Sequence, residues 1–128
     1  MILLDTCALL WWTLEPDQLS HRARTACDQI HVTGAAISSI SLWEIGIKIK
    51  KGTLDINDSL RGFVARLKSL GVVEIVPIDE RIWLANLELQ WEHRDPADRT
   101  IVATAQLQDL PLVTKDPLIA GFYPKVIW

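Results

Sequence analysis

The sequence predicts an α/β fold in which helices cover both faces of a mostly parallel β-sheet. Short apolar and β-branched runs recur along the chain, and segments whose apolar residues have helical spacing separate them. Strands joined through helices pair in parallel, because such a connection crosses the sheet before it returns. The 128 residues are 49% hydrophobic and 23% charged, a globular composition that suits a single domain over residues 1–128.

The first half of the chain predicts two strands and three helices, namely strand 1–4, helix 6–14, helix 20–30, strand 33–39 and helix 42–51. The opening apolar run stops abruptly at Asp5, as a buried parallel strand would. The last of these helices carries lysines in its final turn and ends at Gly52, a common helix stop.

The second half predicts the remaining elements, namely a helix that ends at Gly71, strand 72–78, helix 80–92, a helix running to about residue 108, strand 110–114 and a short strand 126–128. Asp58 or Ser59 can cap the first of these helices, whose apolar residues repeat every three or four positions. Asp95 and Pro96 open the last helix, because Asp is a favoured N-cap and Pro a favoured first helical residue.

Four acidic residues map to one edge of the predicted sheet. Asp5 and Asp116 directly follow strands. Glu44 and Asp98 are expected in the first turns of helices that begin at the same edge. In open α/β sheets the functional crevice lies beyond the carboxyl ends of the strands, so we expect these acids to converge on one pocket.

Each acid also has a purely structural interpretation. Glu44 follows Ser41 at the spacing of a capping box, and Asp98 has the same spacing from the cap of its own helix. Asp5 could cap the helix that follows it. Asp116, which precedes a proline, could be a turn residue.

Convergence of the four carboxylates favours a metal site over these separate structural roles. Carboxylates about 5 Å apart repel by on the order of 3 kcal/mol per pair at an effective dielectric of about 20, so the cluster needs cations or bound protons. All-oxygen ligation favours Mg²⁺ or Mn²⁺ over Zn²⁺. Hard cations held by carboxylates suit hydrolysis of phosphodiester bonds.

The cysteines, the hydropathy and the net charge restrict the location of the protein and its partners. Cys7 and Cys27 fall in predicted helices, which gives no disulfide framework and suggests a reducing cytoplasm. No apolar run reaches about 18 residues, so we expect neither a membrane span nor a secretory signal. The formal net charge of −3 argues against nonspecific coating of nucleic acid but leaves room for a local basic face.

Other candidate groups have weaker patterns. His21, His31 and His93 show no metal-ligand spacing, and we expect them to be structural or superficial. Cys7 follows a strand and is expected to be a small buried hydrophobic residue. Charges on helices usually form solvated faces, but an RNA-binding surface is a further hypothesis. Its members would be Lys48, Lys50, Lys51, Arg61, Arg66 and Lys68.

Four segments carry these residues in a familiar order. They read Met-Ile-Leu-Leu-Asp-Thr at 1–6, Ser-Leu-Trp-Glu-Ile at 41–45, His-Arg-Asp-Pro-Ala-Asp-Arg at 93–99 and Leu-Val-Thr-Lys-Asp at 112–116. The ordered set resembles the PIN domains of VapC-type toxins, and the resemblance extends over essentially the whole chain. It implies a PIN-like three-layer α/β/α sandwich with a mostly parallel central sheet.

The resemblance also assigns roles to individual residues. The acidic site would consist of Asp5, Glu44, Asp98 and Asp116. Asp5 and Asp98 would be the firmest ligands of Mg²⁺ or its substitute Mn²⁺, and Asp116 a further ligand. Glu44 would act as an acid directly or through water held by the metal.

Supporting residues match the family less uniformly. Thr6 and Thr114 correspond to its supporting hydroxyls. Cys7 stands where many close relatives carry His, and Ala97 stands where a bulky aromatic residue is common. Neither departure removes a metal ligand, but both change the side chains that pack near the site.

Partners follow from the resemblance alone. It implies endonucleolytic cleavage of cellular RNA, growth inhibition, homodimerisation and neutralisation by an antitoxin protein that docks near the site. An antitoxin segment would need apolar grooves, and Trp11, Trp12 or Trp43, among six Trp in the chain, could line one. Core packing is the alternative role for each of these side chains.

Two rival functions remain open at this level. A receiver or phosphatase-like α/β domain also gathers acids and Mg²⁺ at strand ends, but it predicts an acidic pair after the first strand, and Asp5 has no acidic neighbour. A catalytically inactive PIN fold that only binds a partner is the other. The presence of all four acids argues against it, and metal binding by the purified chain would discriminate.

Overall fold

The computed structural model describes residues 1–128 and contains one five-stranded sheet whose strands are all parallel. Its strands are β1 (Ile2–Leu4), β2 (Ala35–Ser38), β3 (Val73–Val76), β4 (Leu112–Val113) and β5 (Val126–Ile127). Their order across the sheet is β3-β2-β1-β4-β5, which places β1 in the centre. The predicted parallel α/β sheet is therefore confirmed.

Eight α-helices and one 3-10 turn connect the strands. They are α1 (Thr6–Leu14), the turn Pro16–Gln18, α2 (His21–Asp28), α3 (Ile30–Thr33), α4 (Ser39–Lys50), α5 (Leu60–Ser69), α6 (Glu80–Glu88), α7 (Pro96–Gln108) and α8 (Pro117–Ala120). All but α3 begin after a Ser or Asp whose side chain accepts a backbone N–H of the first turn. Such a cap stabilises a helix by about 1 kcal/mol, so these residues determine where the helices begin.

Alternating side chains of the central strands enter two separate cores. Leu4, Ile37 and Val113 pack on one face, in a cluster that includes residues of α1, α2, α4 and α5. Leu3 and Leu112 pack on the other face, in a cluster with residues of α6, α7 and α8. Both faces of the sheet are thus covered, which explains why the strands read as continuous apolar runs and confirms the three-layer sandwich.

Helix α4 begins earlier than its predicted start at residue 42. Ser38 caps it, with its hydroxyl oxygen accepting the N–H of Ile40 at 3.3 Å, and the preceding strand ends at Ser38 instead of residue 39. Ser41 therefore lies inside the helix, and its hydroxyl contacts Thr6 of α1. The capping-box interpretation of Ser41 and Glu44 is wrong for this reason.

Helix α6 ends at Glu88, whereas the apolar spacing predicts a helix through residue 92. Leu89 already has an extended backbone, with ψ of 122°. The Arg99 guanidinium donates to the carbonyls of Asn86, Leu89, Trp91 and His93, which replaces the hydrogen bonds that a continued helix would make. A side chain distant in sequence therefore decides where α6 stops.

Smaller differences concern short elements. The predicted helix 20–30 is divided at Gln29 into α2 and α3. The turn Pro16–Gln18 and the single-turn helix α8 have no counterpart in the prediction. No helix combines the length and the apolar character needed to cross a membrane.

Candidate active site

The structure brings all four predicted acids into one cleft at the carboxyl edge of the sheet. The cleft is lined by Asp5, Thr6, Cys7, Trp11, Glu44, Lys48, Asp98, Lys115 and Asp116. The acids come from four separate segments, at the ends of β1 and β4 and from helices α4 and α7. Convergence at this edge is what the parallel topology requires, because all the strands end there.

Asp5 occupies the centre of the edge, directly after the central strand. Its backbone N–H donates to the Val113 carbonyl at 3.2 Å, and its Oδ1 accepts the N–H of Ala8 at 2.8 Å as the cap of α1. The residue is only 8% exposed. Burial raises its pKa from 3.8 to about 6, against the hydrogen bonds from Thr114 and Ala8, and the charges of Asp98 and Asp116 raise it further.

Glu44 lies in the second turn of α4, one turn later than predicted, because the helix begins at Ser39. The Thr6 hydroxyl is 2.5 Å from Glu44 Oε1 and 2.9 Å from Ser41 Oγ. A hydroxyl has one proton, so Thr6 donates it to the carboxylate and accepts from Ser41. The pKa of Glu44 is raised, with burial as the largest cause. The hydrogen bond from Thr6 and the charge of Lys48 offset part of this increase.

Asp98 lies in the first turn of α7, as predicted, and does not return to cap its own helix. The cap is Asp95, which accepts from the N–H groups of Ala97 and Asp98. The Asp98 side chain instead contacts His93, with 2.7 Å between Oδ2 and Nε2. Burial raises the pKa of Asp98, and the hydrogen bond from His93 partly offsets the effect.

Asp116 combines its place in the cleft with a structural role, which is that of a helix cap instead of the turn residue that its sequence position indicated. Its Oδ1 accepts the N–H of Leu118 at 2.9 Å and begins α8. Its own N–H donates to the Thr114 hydroxyl at 3.1 Å. Thr114 is buried and its hydroxyl also lowers the pKa of Asp5, so the two predicted supporting threonines each contact or influence one of the acids.

His93 is the site residue that the sequence reasoning missed. One ligand atom each from His93, Asp98 and Asp116 lies within 4.8 Å of the others, whereas Asp5 is outside this tight group although it lines the same cleft. His93 and Asp98 are five residues apart, which is not a helical metal-ligand spacing. The sequence offered one indication of this role, which is that His93 lies just before the N-cap of α7. A residue at that position lies at the same edge of the sheet as the first turn of the helix.

Cys7 also differs from its prediction. It is exposed and lines the cleft, because it is the second residue of α1 and lies beside the buried Thr6. Partial burial of the thiol and the charge of Asp5 raise its pKa. A raised pKa disfavours the thiolate, which is the form of cysteine that binds metals.

The donor set fits a hard divalent cation. Asp5, Glu44 and Asp98 all have raised pKa values, with burial as the largest cause in each. A bound cation would relieve the cost of ionising them together. Carboxylate oxygens with one nearby imidazole are ligands for Mg²⁺-type and Mn²⁺-type ions, whereas structural Zn²⁺ sites rely on thiolates and several imidazoles.

Two lysines and one tryptophan complete the cleft. Lys115 Nζ lies 5.9 Å from the centroid of the Trp11 ring, and Trp11 packs against Trp128 at 5.7 Å between centroids. Lys48 lies one turn after Glu44 on α4. Positive charge and an aromatic ring thus adjoin the acids.

The basic surface predicted from the sequence is divided. Only Lys48 of that set lines the cleft. Arg66 pairs with Asp58 at 3.1 Å. Arg61 and Lys68 border a different, mainly apolar cavity on α5. The lysines that line the cleft are therefore Lys48 and the unpredicted Lys115.

Among the tryptophans proposed to line a groove, Trp43 is 64% exposed, whereas Trp11 and Trp12 are half-buried and pack against the core. Trp43 directly precedes Glu44 on α4, so an exposed aromatic side chain is adjacent in sequence to one of the acids.

Comparisons with known proteins agree with this geometry. The PIN domain family matches residues 2–121. Ribonuclease VapC22 from Mycobacterium tuberculosis is 30% identical over 116 residues, which is 90% of this chain and 86% of that protein. A toxin-antitoxin complex from Klebsiella pneumoniae is similar with a TM-score of 0.69 and 27% identity, over 100% of this chain and 97% of the matched chain.

A more distant solved structure shares the fold. VapBC2 from Rickettsia felis, bound to a DNA fragment from its promoter, has a TM-score of 0.69 at 19% identity, over 99% of this chain and 96% of the matched chain. Because the family match spans nearly the whole chain and the fold and acidic cleft accompany it, this protein belongs to the PIN domain family.

Proposed function

We propose that this protein is a metal-dependent endoribonuclease, the toxic component of a type II toxin–antitoxin module, which hydrolyses phosphodiester bonds of cellular RNA in the acidic cleft. The observation that carries the proposal is the set of three carboxylates with raised pKa values in one cleft. Such a cluster is costly to the fold unless a cation is bound. The 30% identity to a ribonuclease supports RNA as the substrate.

The proposed cofactor is Mg²⁺, with Mn²⁺ as a substitute, held by Asp5, Asp98 and Asp116. A divalent ion in this position would supply Lewis acidity toward the phosphate and lower the pKa of water. His93 lies within the same group of ligand atoms as Asp98 but is not one of the proposed ligands.

Glu44 is the proposed acceptor of the proton from the attacking water. The Thr6 hydroxyl fixes Oε1 by hydrogen bonding, which leaves the other carboxylate oxygen to accept. A raised pKa makes Glu44 a stronger base than an ordinary glutamate, in the direction that general-base catalysis near neutral pH requires. Thr6 and Thr114 support the acids and do not themselves react.

Lys48, Lys115 and Trp11 are the proposed contacts to the RNA strand. Ammonium groups beside a cleft can bind backbone phosphates, and an indole ring can stack on an unpaired base. Two lysines line the cleft, so a chain with net charge of −3 still presents positive charge to a polyanion beside the acids.

The proposed partners are a cognate antitoxin protein and a second copy of this chain as a homodimer. Similarity to a chain of a toxin-antitoxin complex supports the first, and exposed apolar side chains such as Trp43 offer contact area. The chain is proposed to act as a single domain over residues 1–128. Its place of action is proposed to be the cytoplasm, where cellular RNA is met and where free Cys7 and Cys27 stay reduced.

The test compares wild type, Asp98→Asn and a matched surface variant, Asp17→Asn, on a mixed cellular RNA pool with Mg²⁺ or Mn²⁺. Asp17 lies on the 3-10 turn and its side chain is almost fully exposed. We expect discrete fragments from the wild type and Asp17→Asn, and none from Asp98→Asn or after addition of a chelator.

Equal cleavage by all three proteins would contradict the assignment of this cleft. Absence of cleavage together with absence of metal binding would favour an inactive PIN fold that only binds a partner. The receiver-like alternative is wrong, because the chain belongs to a different family and Thr6 follows Asp5 where an acidic pair would be required.

A further inference from the structure

His93 contacts one oxygen of Asp98 and leaves the other oxygen uncommitted. The distance between Nε2 and Oδ2 is 2.7 Å, and the two side chains are 19% and 24% exposed. Partial burial strengthens such a contact, since little water competes for either group. The pair lies at the entrance of α7, beside Asp116.

Two features fix the position of His93 itself. Its ring packs on Trp91 at 4.7 Å between centroids, and Trp91 stacks on Phe122 at 4.8 Å with an interplanar angle of 11°. Its backbone carbonyl accepts from Arg99 Nη1 at 3.1 Å. Arg99 belongs to α7, so the loop that carries His93 is tied to the helix that carries Asp98.

The contact with Asp98 bears on whether His93 acts as a hydrogen-bond donor or as a metal ligand. When Asp98 is ionised it can only accept, so the contact requires a proton on His93 Nε2. A nitrogen that carries this proton has no lone pair for a metal. With Asp98 ionised, the contact makes His93 a donor to a carboxylate that can itself bind the ion, a role that outer partners of metal sites commonly have.

We propose that His93 is a positioning residue that holds Asp98 through Oδ2, so that the remaining carboxylate oxygen is oriented for the divalent cation. This inference rests on the proposed function, because it concerns the same site. It predicts that metal affinity depends on the N–H donor at position 93 and not on the aromatic ring.

Two substitutions separate the donor from the ring. His93→Phe keeps a ring to pack on Trp91 but removes the donor, whereas His93→Gln removes the ring and keeps an N–H donor at a similar distance from the backbone. His31→Phe is the matched control, because His31 is exposed on α3 and contacts none of the acids.

The measurement is the dissociation constant for Mn²⁺ alone, by calorimetry or by electron paramagnetic resonance of the free ion, in the absence of RNA. We expect His93→Phe to weaken Mn²⁺ binding about 10- to 100-fold, and His93→Gln and His31→Phe to stay within about threefold of the wild type. Circular dichroism of each variant checks that it is folded.

Three results would overturn the proposal. Wild-type affinity in His93→Phe would show that the donor is unnecessary. Equal weakening in His93→Gln and His93→Phe, with a changed preference between Mn²⁺ and Mg²⁺, would show that the imidazole nitrogen is a ligand instead. Absence of Mn²⁺ binding by the wild type would overturn this proposal and the proposed function together, whereas the first two results leave metal-dependent cleavage intact.

Discussion

The acidic cleft and the Asn86–Thr100–Arg99 cluster both remove polar groups from water, but they differ in charge compensation. In the second cluster Asn86 Nδ2 donates to Thr100 Oγ1 at 3.0 Å, Thr100 donates to the Pro96 carbonyl at 2.6 Å, and the Arg99 cation faces several carbonyl dipoles. In the cleft, several like charges face one another, and burial raises their pKa values.

Hydrogen-bond satisfaction does not explain the difference. No buried side-chain nitrogen or oxygen lacks a partner anywhere in the chain, the cleft included. The difference is that four carboxylates share the cleft with only two lysines, whereas in the Asn86–Thr100–Arg99 cluster a single cation has carbonyl acceptors for its N–H groups. An accumulation of like charges, more than burial of polar atoms, therefore marks the site that a ligand must complete.

Substitution of Asp5 should have the largest effect on the cleft. Asp5→Asn keeps the cap of α1, because an amide oxygen can still accept the Ala8 N–H, but it removes the buried charge at the centre of the edge. We expect RNA cleavage to fall by about 1000-fold, or about 4 kcal/mol of transition-state stabilisation. Initial rates of RNA cleavage at saturating metal concentration measure this loss. If Asp5→Asn kept more than about a tenth of wild-type activity, Asp5 would not be a catalytic residue.

The stability of the metal-free protein should depend on pH in the opposite sense from ordinary acids. A carboxyl whose pKa is raised on folding contributes stability that is present below 3.8, its ordinary pKa, and is lost as the pH rises through about 6. That interval corresponds to about 3 kcal/mol for Asp5. The raised pKa values of Glu44 and Asp98 act in the same direction.

Urea unfolding of dialysed protein between pH 4 and pH 7.5 measures this dependence. We expect Asp5→Asn to flatten it, and added Mn²⁺ to restore stability to the wild type chiefly at the upper end, where protons compete less. If the wild type and Asp5→Asn lost stability in parallel, the buried charge of Asp5 would not be the cause.

A smaller effect is expected in the completed cluster. Thr100→Val leaves the buried Asn86 amide without its acceptor, which should lower the free energy of unfolding by about 2 kcal/mol. Thr104→Val is the matched control, because Thr104 is equally buried but donates only to the Thr100 carbonyl within its own helix. Urea titrations compare the two variants.

The affinity for Mn²⁺ should be unchanged in Thr100→Val, because the Thr100 hydroxyl contacts Asn86 and Pro96 and none of the acids in the cleft. A loss of metal affinity equal to the loss in His93→Phe would show instead that the two regions are coupled through α7.

Local sequence determined much of the fold. The alternation of apolar runs with helical spacing specified a parallel sheet covered on both faces, because side chains of period two and period 3.6 bury differently. Asp5 and Asp95 marked the starts of helices through their capping chemistry, and since parallel strands end at one edge, Asp5 and Asp116 located the cleft. The catalytic roles of the acids stay a prediction until they are measured.

The site is completed by contacts between segments that are distant in sequence, and these contacts exist only in the tertiary structure. The Thr6 contacts to Ser41 and Glu44 join residues more than 30 positions apart, and Arg99 ends α6 by reaching back to Asn86. The contact of His93 with Asp98 and the exposure of Cys7 depend on how these segments pack. Periodicity and capping act within one or two helical turns, so a contact that is formed only after chain segments meet leaves no local pattern to read.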